Sequence, residues 1–322
     1  MSRTVLDLAR AGDQRAFADL VEPHRRELRA HCYRMLGSLT DAEDLLQETL
    51  TAAWRGIAGF EGRSSLRTWL YRIATNRCLN AIRDGKRRVP PPEPVPPFAP
   101  PEPSAKGDVT WFQPFPDALL DGTPGPAARY ELRESVELAF VAAVQRLPPR
   151  QAAVLLLCDV LGYSTAEAAD MISVGATSAK GLLQRARASA GPRRETGPTP
   201  GSDAERDLAR RFAEAYGSGD VDGVVALLSD DAWLAMPPAP HEYHGHEAIA
   251  GFLRASWSAH ATVELVPTRA NGAPAFACFH VREGEAKVPA GVVVLTLAGE
   301  RVGGVTRFLV GLGLGGIPLP AV

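Results

Sequence analysis

Residues 65–88 read "SLRTWLYRIATNRCLNAIRDGKRR". The spacing predicts one long helix, started by Ser64 or Ser65, with Leu66, Leu70, Ile73, Ala74 and Leu79 as its buried stripe. A core helix has no use for Arg67, Arg72, Arg77 and Arg83, and a plain solvated helix has none for Trp69, Tyr71 and Ile73. In helical geometry Arg67, Tyr71 and Arg72 fall within one turn, and Asn76, Arg77 and Asn80 continue that side. Guanidinium groups suit phosphates, whereas unstacked bases call for an aromatic or arginine plane and an amide to read an edge. The combination suits single-stranded or melted DNA better than intact duplex. The "GKRR" at 85–88 would add salt-dependent affinity.

Just upstream, "TDAEDLLQETLTAAWR" (40–55) places apolar residues at 45, 46, 50, 53 and 54, which is one helical face. Thr40 is expected to cap this helix, with Glu43 closing a capping box. Asp41, Asp44, Glu48, Thr51 and Arg55 share another stripe. Those carboxylates repel DNA, so the stripe is either a solvated face or a docking face for a basic partner helix. The glycine-punctuated "GIAGFEGRSS" (56–65) reads as the loop between the two helices.

Charge is segregated along the 322 residues, although the net charge is only −2. Residues 1–90 carry 16 Lys/Arg against 11 Asp/Glu, and 136–202 carry 7 against 5. Residues 91–135 carry 3 against 7, and 203–322 carry 9 against 14. A basic front and an acidic back imply an anionic ligand for the front half only, most simply nucleic acid. No apolar run suggests a secretory leader or a bilayer span, so a cytoplasmic location is expected. Cys32, Cys78, Cys158 and Cys278 lie far apart without metal-ligand spacing, so reduced buried thiols are expected, with no metal and no cofactor.

Two breaks divide the chain. "VPPPEPVPPFAPPEP" (89–103) holds nine prolines and must be an extended connector. "GPRRETGPTPGSD" (191–203) has the same punctuation. Between them, helices are expected near 131–146, 148–160, 165–172 and 176–189, with Ser164 and Glu167 forming a capping box. Two short helices joined by a tight turn read as helix-turn-helix. The last, "ATSAKGLLQRARAS" (176–189), would bury Ala179, Leu182, Leu183 and Ala186. It would leave Thr177, Ser178, Lys180, Gly181, Gln184, Arg185 and Arg187 outward, as a major-groove reader requires. The connector also carries "DVTWFQPFPDALLD" (108–121), whose Trp111, Phe112 and Phe115 either pack on the chain's own domains or dock elsewhere.

After residue 203 the pattern changes to two helices (204–217 and 221–229), then alternating or apolar runs interrupted by a helix at 245–257. This is an α+β pattern with an antiparallel meander. His241, His244, His246, Asp231 and His280 are candidate general bases there, but no acid/base pair has a telling spacing, so no catalysis is expected.

"AHCYRMLGSLTDAEDLLQETLTAAWRGIAGFEGRSSLRTWLYRIATNRCLNAIR" resembles region 2 of sigma-70 family RNA polymerase sigma factors of the extracytoplasmic-function group. "LPPRQAAVLLLCDVLGYSTAEAADMISVGATSAKGLLQRARA" resembles their region 4. The aromatic phrase of the connector is similar to those of the SigG-like members, which also carry a C-terminal extension. Residues 204–310 look like a SnoaL-like cone-shaped half-barrel, carried by "GDVDGVVALLSDDAWLAMPP" and "YHGHEAIAGFLRASW". The resemblance implies two all-α domains followed by an α+β one. These would be region 2 over 1–88, a proline-rich linker over 89–130, region 4 over 131–190, a second linker over 191–203, and a regulatory SnoaL-like domain over 204–322.

The resemblance also implies roles. Asp41, Glu43, Asp44, Gln47 and Glu48 match the helix that docks on the coiled coil of the polymerase β′ subunit. Arg63, Ser65, Arg67, Tyr71, Arg72, Asn76, Arg77 and Asn80 match the segment that captures flipped bases of the −10 element. Ser164, Thr165, Thr177, Ser178, Lys180, Gly181, Gln184, Arg185 and Arg187 match the −35 reader. Gly175 and Ala176 stand where such helices often begin with Ser or Thr, which puts a phosphate contact there in doubt. Trp233, Met236, Tyr243, Phe252, Trp257 and Phe279 are candidate cavity-lining residues, with an unidentified small ligand as a further partner. The expected partners are thus core polymerase and promoter DNA, without a membrane. The competing reading is a SnoaL-like enzyme or binding module fused to DNA-binding helices.

Overall fold

The computed structural model describes residues 4–85, 100–106, 113–120, 136–190, 197–237, 239, 241–259, 263–281 and 286–309. The chain divides into two compact units.

The first unit opens with α1 (Val5–Arg10) and α2 (Gln14–Val21), capped by Thr4 and Asp13 side chains. A short 3-10 turn leads into α3 (Arg25–Leu36), which Gly37 ends in the left-handed conformation at φ 73°. Next come α4 (Leu39–Gly56) and α5 (Leu66–Arg83). Ser65 caps α5, as the sequence suggested. Thr40 does not cap α4: Ser38 does, accepting the Asp41 amide at 3.1 Å. The helix begins one residue before Thr40, which frees Glu43 to pair with Arg29 at 2.5 Å. Leu28, Leu36, Leu46, Leu70, Ala74 and Cys78 meet in the centre of α3, α4 and α5. Each buried leucine contributes roughly 1.5–3 kcal/mol relative to exposure.

The same unit contains α6 (Leu138–Gln145) from Phe140 onward, α7 (Pro149–Leu155), α8 (Thr165–Met171) and α9 (Ala176–Ala190). Residues 131–135 of the expected first helix lie outside the described residues. A widened π turn over Leu156–Val160 follows α7, and Gly162 turns the chain at φ 74°. The Ser164–Glu167 capping box then starts α8. Ala168, Ala169, Met171, Ala179, Leu183 and Ala186 bury the facing sides of α8 and α9, giving a helix-turn-helix.

The second unit contains connector residues and the C-terminal part. Its helices are α10 (Asp203–Ser218), α11 (Val221–Leu227) and α12 (Gly245–Ala259). Its strands are β1 (Ala105–Lys106), β2 (Leu228–Ala235), β3 (His241–His244), β4 (Val263–Ala270), β5 (Ala273–His280), β6 (Val288–Ala298) and β7 (Arg301–Leu309). The sheet order is β1-β3-β2-β7-β6-β5-β4. The expected meander holds for β4 to β7, but β2 pairs with β7 in parallel. Alternation within a strand carries no information on that long-range pairing, so the sequence was silent on it. Phe212, Tyr216, Ile249 and Phe252 of the helices pack on Leu234, Phe276, Val293 and Val305 of one sheet face.

Candidate nucleic-acid interface

On α4, Asp44, Gln47 and Glu48 are exposed, while Asp41 and Glu43 are half-buried. Leu45, Leu46 and Leu50 turn inward, so the 3.6-residue period leaves one acidic stripe on the surface. Glu48 reaches Arg77 of α5 at 3.6 Å, an exposed pair worth little in stability.

The polar side chains of α5 form two overlapping sets. Trp69, Arg72, Ile73, Asn76, Arg77 and Asn80 line an open groove of about 300 Å³ against Ala52 of α4. The ring of Trp69 lies under Gly56 of α4, where an added Cβ would sit only 3.3 Å from it. The Phe60 ring is tilted against that ring, with centroids 5.0 Å apart. Arg63 and Ser65 are exposed at the loop end, with Arg63 paired to Glu61 at 3.2 Å.

The second set, which shares Arg72 and Asn76 with the groove, is engaged within its own unit. Arg67 donates through Nε to Glu27 of α3 at 2.9 Å and lies 4.8 Å above the Tyr71 ring. It also sits 5.7 Å from the Tyr163 ring and donates to the Tyr163 hydroxyl at 3.4 Å. Arg72 meets Asp170 of α8 at 3.3 Å, and the Asn76 amide donates to the Met171 carbonyl at 2.7 Å. Tyr163, Asp170 and Met171 belong to the helix-turn-helix, so part of the α5 face is covered by the chain's own second helical block.

Tyr71 corrects an expectation. It is fully buried, its hydroxyl donates to Glu27 at 3.2 Å, and its ring stands edge-on to His31 at 5.1 Å. Burial, followed by the nearby Glu27 carboxylate, pushes its hydroxyl far up. In this conformation no base stacks on Tyr71. The reason is that the true buried stripe of α5 is Leu70, Tyr71, Ala74, Thr75 and Cys78, one position rotated from the expected one. Leu66, Ile73 and Leu79 stay partly exposed, and Ile73 lines the groove.

Sequence reasoning missed the polar cluster beneath. Arg34 is 1 % exposed, and burial lowers its guanidinium to about 10 despite Tyr71 and Glu27 nearby. Burial works to raise Glu27, but the hydrogen bond from His24 and the charge of Arg67 outweigh it and hold the carboxyl below its usual range. His31 bonds the Thr75 hydroxyl at 2.9 Å, and burial drives it down to about 3. A single sequence shows these residues as ordinary helix surface; only the register of α3 against α5 brings them inside.

On the helix-turn-helix, Thr177, Ser178, Lys180, Gln184, Arg185 and Arg187 are exposed, and Gly181 is half-exposed. Ser164 and Thr165 stand at the start of α8, with the Ser164 hydroxyl held by Glu167. Arg187 grips Asp159 with two bonds, at 2.9 and 2.6 Å.

In the second unit, the connector is clamped at two places. Lys106 and Ala105 extend the sheet as β1 beside β3, and Tyr243 donates to the Pro101 carbonyl at 3.1 Å. At the β4–β5 turn, Phe115 is fully buried and its amide donates to Asn271 Oδ1 at 2.8 Å. Asp117 accepts the Gly272 amide at 2.8 Å and Arg269 Nε at 3.3 Å. Arg269 in turn holds Glu205 with two bonds, at 2.8 and 3.2 Å. Phe115 thus packs on the chain's own C-terminal part; Trp111 and Phe112 lie outside the described residues.

Three of the five candidate general bases make local hydrogen bonds. His244 pairs with Glu242 at 3.0 Å, His246 with the Ser229 carbonyl at 3.0 Å, and Asp231 with the Ser229 hydroxyl at 2.8 Å. Among the described residues no cluster of metal-ligating side chains is present, and no helix is long and apolar enough to cross a membrane. Of the six expected cavity residues, Tyr243, Phe252 and Phe279 are core, while Trp233 lies against Gly304. Met236 and Trp257 remain partly exposed at the helix-facing core.

The sequence matches the family models for sigma-70 region 2 over 20–88, sigma-70 region 4 over 137–189 and a SnoaL-like domain over 209–304. An acidic helix beside a cationic groove, a separate helix-turn-helix and these matches define an alternative sigma factor with a SnoaL-like C-terminal domain. The ECF RNA polymerase sigma factor SigG of Mycobacterium tuberculosis is 44 % identical over 309 residues, covering 93 % of this chain and 82 % of that protein. The ECF sigma factor SigM of the same species is 33 % identical over 55 % of this chain and 76 % of its own length. A crystal structure of the M. tuberculosis ECF sigma factor SigJ shares the fold over 94 % of this chain and 99 % of its own, with TM-score 0.63 and 20 % identity. The chain belongs to the extracytoplasmic-function sigma factors of the sigma-70 family.

Proposed function

We propose that this sigma factor docks on core RNA polymerase, through its β′ coiled coil, by the acidic stripe of Asp41, Glu43, Asp44, Gln47 and Glu48. The −35 element is then read by the exposed face of α9, and the opened −10 strand is held along the α5 groove. Arg72, Asn76, Arg77 and Asn80 are the groove's phosphate and base-edge donors, with Arg63 and Ser65 at its mouth. The observation that supports this best is the juxtaposition of the α4 carboxylates and the open α5 groove on one small bundle. A duplex-binding repressor needs only the helix-turn-helix. The mechanism uses binding energy alone, and nucleotide chemistry stays with the polymerase, in the cytoplasm.

The SnoaL-like domain regulates rather than catalyses. In support, it holds the linker at β1 and at Asp117. A linker that must run through polymerase during initiation has to leave those contacts first. The test is transcription of pooled genomic fragments by core polymerase, with 5′-end sequencing. New start sites sharing −35 and −10 elements should appear only when the chain is added. Turnover of small substrates with no such start sites would instead favour the enzyme reading.

A further inference from the structure

The loop that brings Arg63 and Ser65 to the mouth of the groove is held from outside the α4–α5 pair. A 3-10 turn over Ile57–Gly59 follows α4, and Phe60 comes next, buried. Residues 61–65 are then all exposed, with Gly62 in the left-handed region at φ 73°. An exposed stretch of five residues has no packing of its own to fix its path, so its two ends set it. The far end is Ser65, whose hydroxyl accepts the Thr68 amide at 3.0 Å. The near end is Phe60.

Two contacts hold Phe60. Its ring lies against Trp69, which lines the groove. Its carbonyl accepts a hydrogen bond from Nη2 of Arg10, and the Arg10 guanidinium stands 5.9 Å from the Phe60 ring. Arg10 is the last residue of α1, and α1 packs on the 57–59 turn. The buried Nε of Arg10 has no hydrogen-bond partner, and its Nη1 is 3.9 Å from the exposed Asp7. Among the described residues, the Phe60 carbonyl is therefore the close acceptor of this cation. A charged donor makes a stronger bond to a carbonyl than a neutral one, and the planar guanidinium is a stiffer anchor than an ammonium.

We propose that Arg10 is a positioning residue for promoter reading. Through the Phe60 carbonyl it fixes the path of residues 61–65, and so decides how sharply that loop discriminates the base placed at the mouth of the groove. Arg10 itself touches no DNA in this role. The inference rests on the reading of the α5 groove as the −10 site, and adds to it a specificity determinant on a helix that contributes nothing to the groove wall.

The test is transcription of a promoter pool randomised through the −35 and −10 elements, by core polymerase with the full chain or its variants, read by 5′-end sequencing. In Arg10→Ala the base preference at one −10 position, or at two adjacent ones, should fall about tenfold, the loss of one charge-assisted bond. Preferences at the −35 element and affinity for core polymerase should stay as in the wild type. Arg10→Lys, which keeps a charged donor, should recover part of the lost preference. Alanine suits the last turn of α1, and thermal unfolding checks that the variant is folded. Wild-type preferences at every −10 position in Arg10→Ala, or preferences weakened alike across both elements, would overturn the proposal and leave the groove's assignment standing. A wild-type pool without any −10 preference would overturn both.

Discussion

Replacing Tyr163 with alanine should open the first unit. Tyr163 contributes a T-shaped contact with Tyr71 at 6.0 Å and a ring beneath the Arg67 guanidinium at 5.7 Å. The ring pair is worth about 0.5–1.5 kcal/mol, and the cation over a partly exposed ring about 0.5–1. The 3.4 Å bond from Arg67 to its hydroxyl is too long to add much. The substitution therefore costs the closed arrangement about 1–2.5 kcal/mol, a shift of roughly 5- to 70-fold toward open forms. Adding Asn76→Ala removes the bond to the Met171 carbonyl and contributes about 1 kcal/mol more. The assay is energy transfer between dyes on cysteines introduced at the exposed positions Glu61 and Ser189, with half-exposed Cys158 changed to serine. Transfer efficiency should fall in Tyr163→Ala and further in the double variant, and affinity for single-stranded DNA should rise in Tyr163→Ala, which keeps every donor of the groove. A folded double variant with unchanged transfer would refute the claim that these contacts keep the α5 face covered.

Three further outcomes follow from particular groups. Asp117→Ala removes the acceptor of the Gly272 amide and one partner of Arg269, at a cost of about 2–3 kcal/mol to linker docking. Limited proteolysis should then cut near residues 107–121 faster while the sheet core survives. His31 takes up its proton at about 3 when folded but near 6.5 when unfolded, so the unfolded chain binds one more proton between those values. Stability should fall by about 1.4 kcal/mol for each pH unit below 6.5, and His31→Gln should flatten that slope in denaturant titrations. Gly291→Ala places a Cβ at φ 132° against the Phe308 carbonyl of the neighbouring strand, so calorimetry should show the C-terminal transition lost or strongly lowered.

The helices were legible because each advertises itself locally. Ser164 and Glu167 form the expected capping box, and Ser65 starts α5. The acidic stripe of α4 was legible too, since Leu45, Leu46 and Leu50 fix which way the helix faces. Tyr71 was misread for a physical reason. An aromatic ring flanked by arginines reads as surface, yet a buried cluster of Arg34, Glu27 and His31 gives its hydroxyl and ring a polar interior. The linker's β1 strand and the parallel β2–β7 pair depend on contacts between segments far apart in sequence, which no periodicity encodes.

The most direct measurement is the affinity of core RNA polymerase for the full chain and for its Asp44→Arg/Glu48→Arg variant, with duplex DNA binding followed in parallel. The variant should lose core binding by at least about 100-fold, two exposed charges being reversed at once, while holding DNA as well as before. Equal core affinity for both proteins would contradict the assignment of the α4 stripe as the polymerase-docking face.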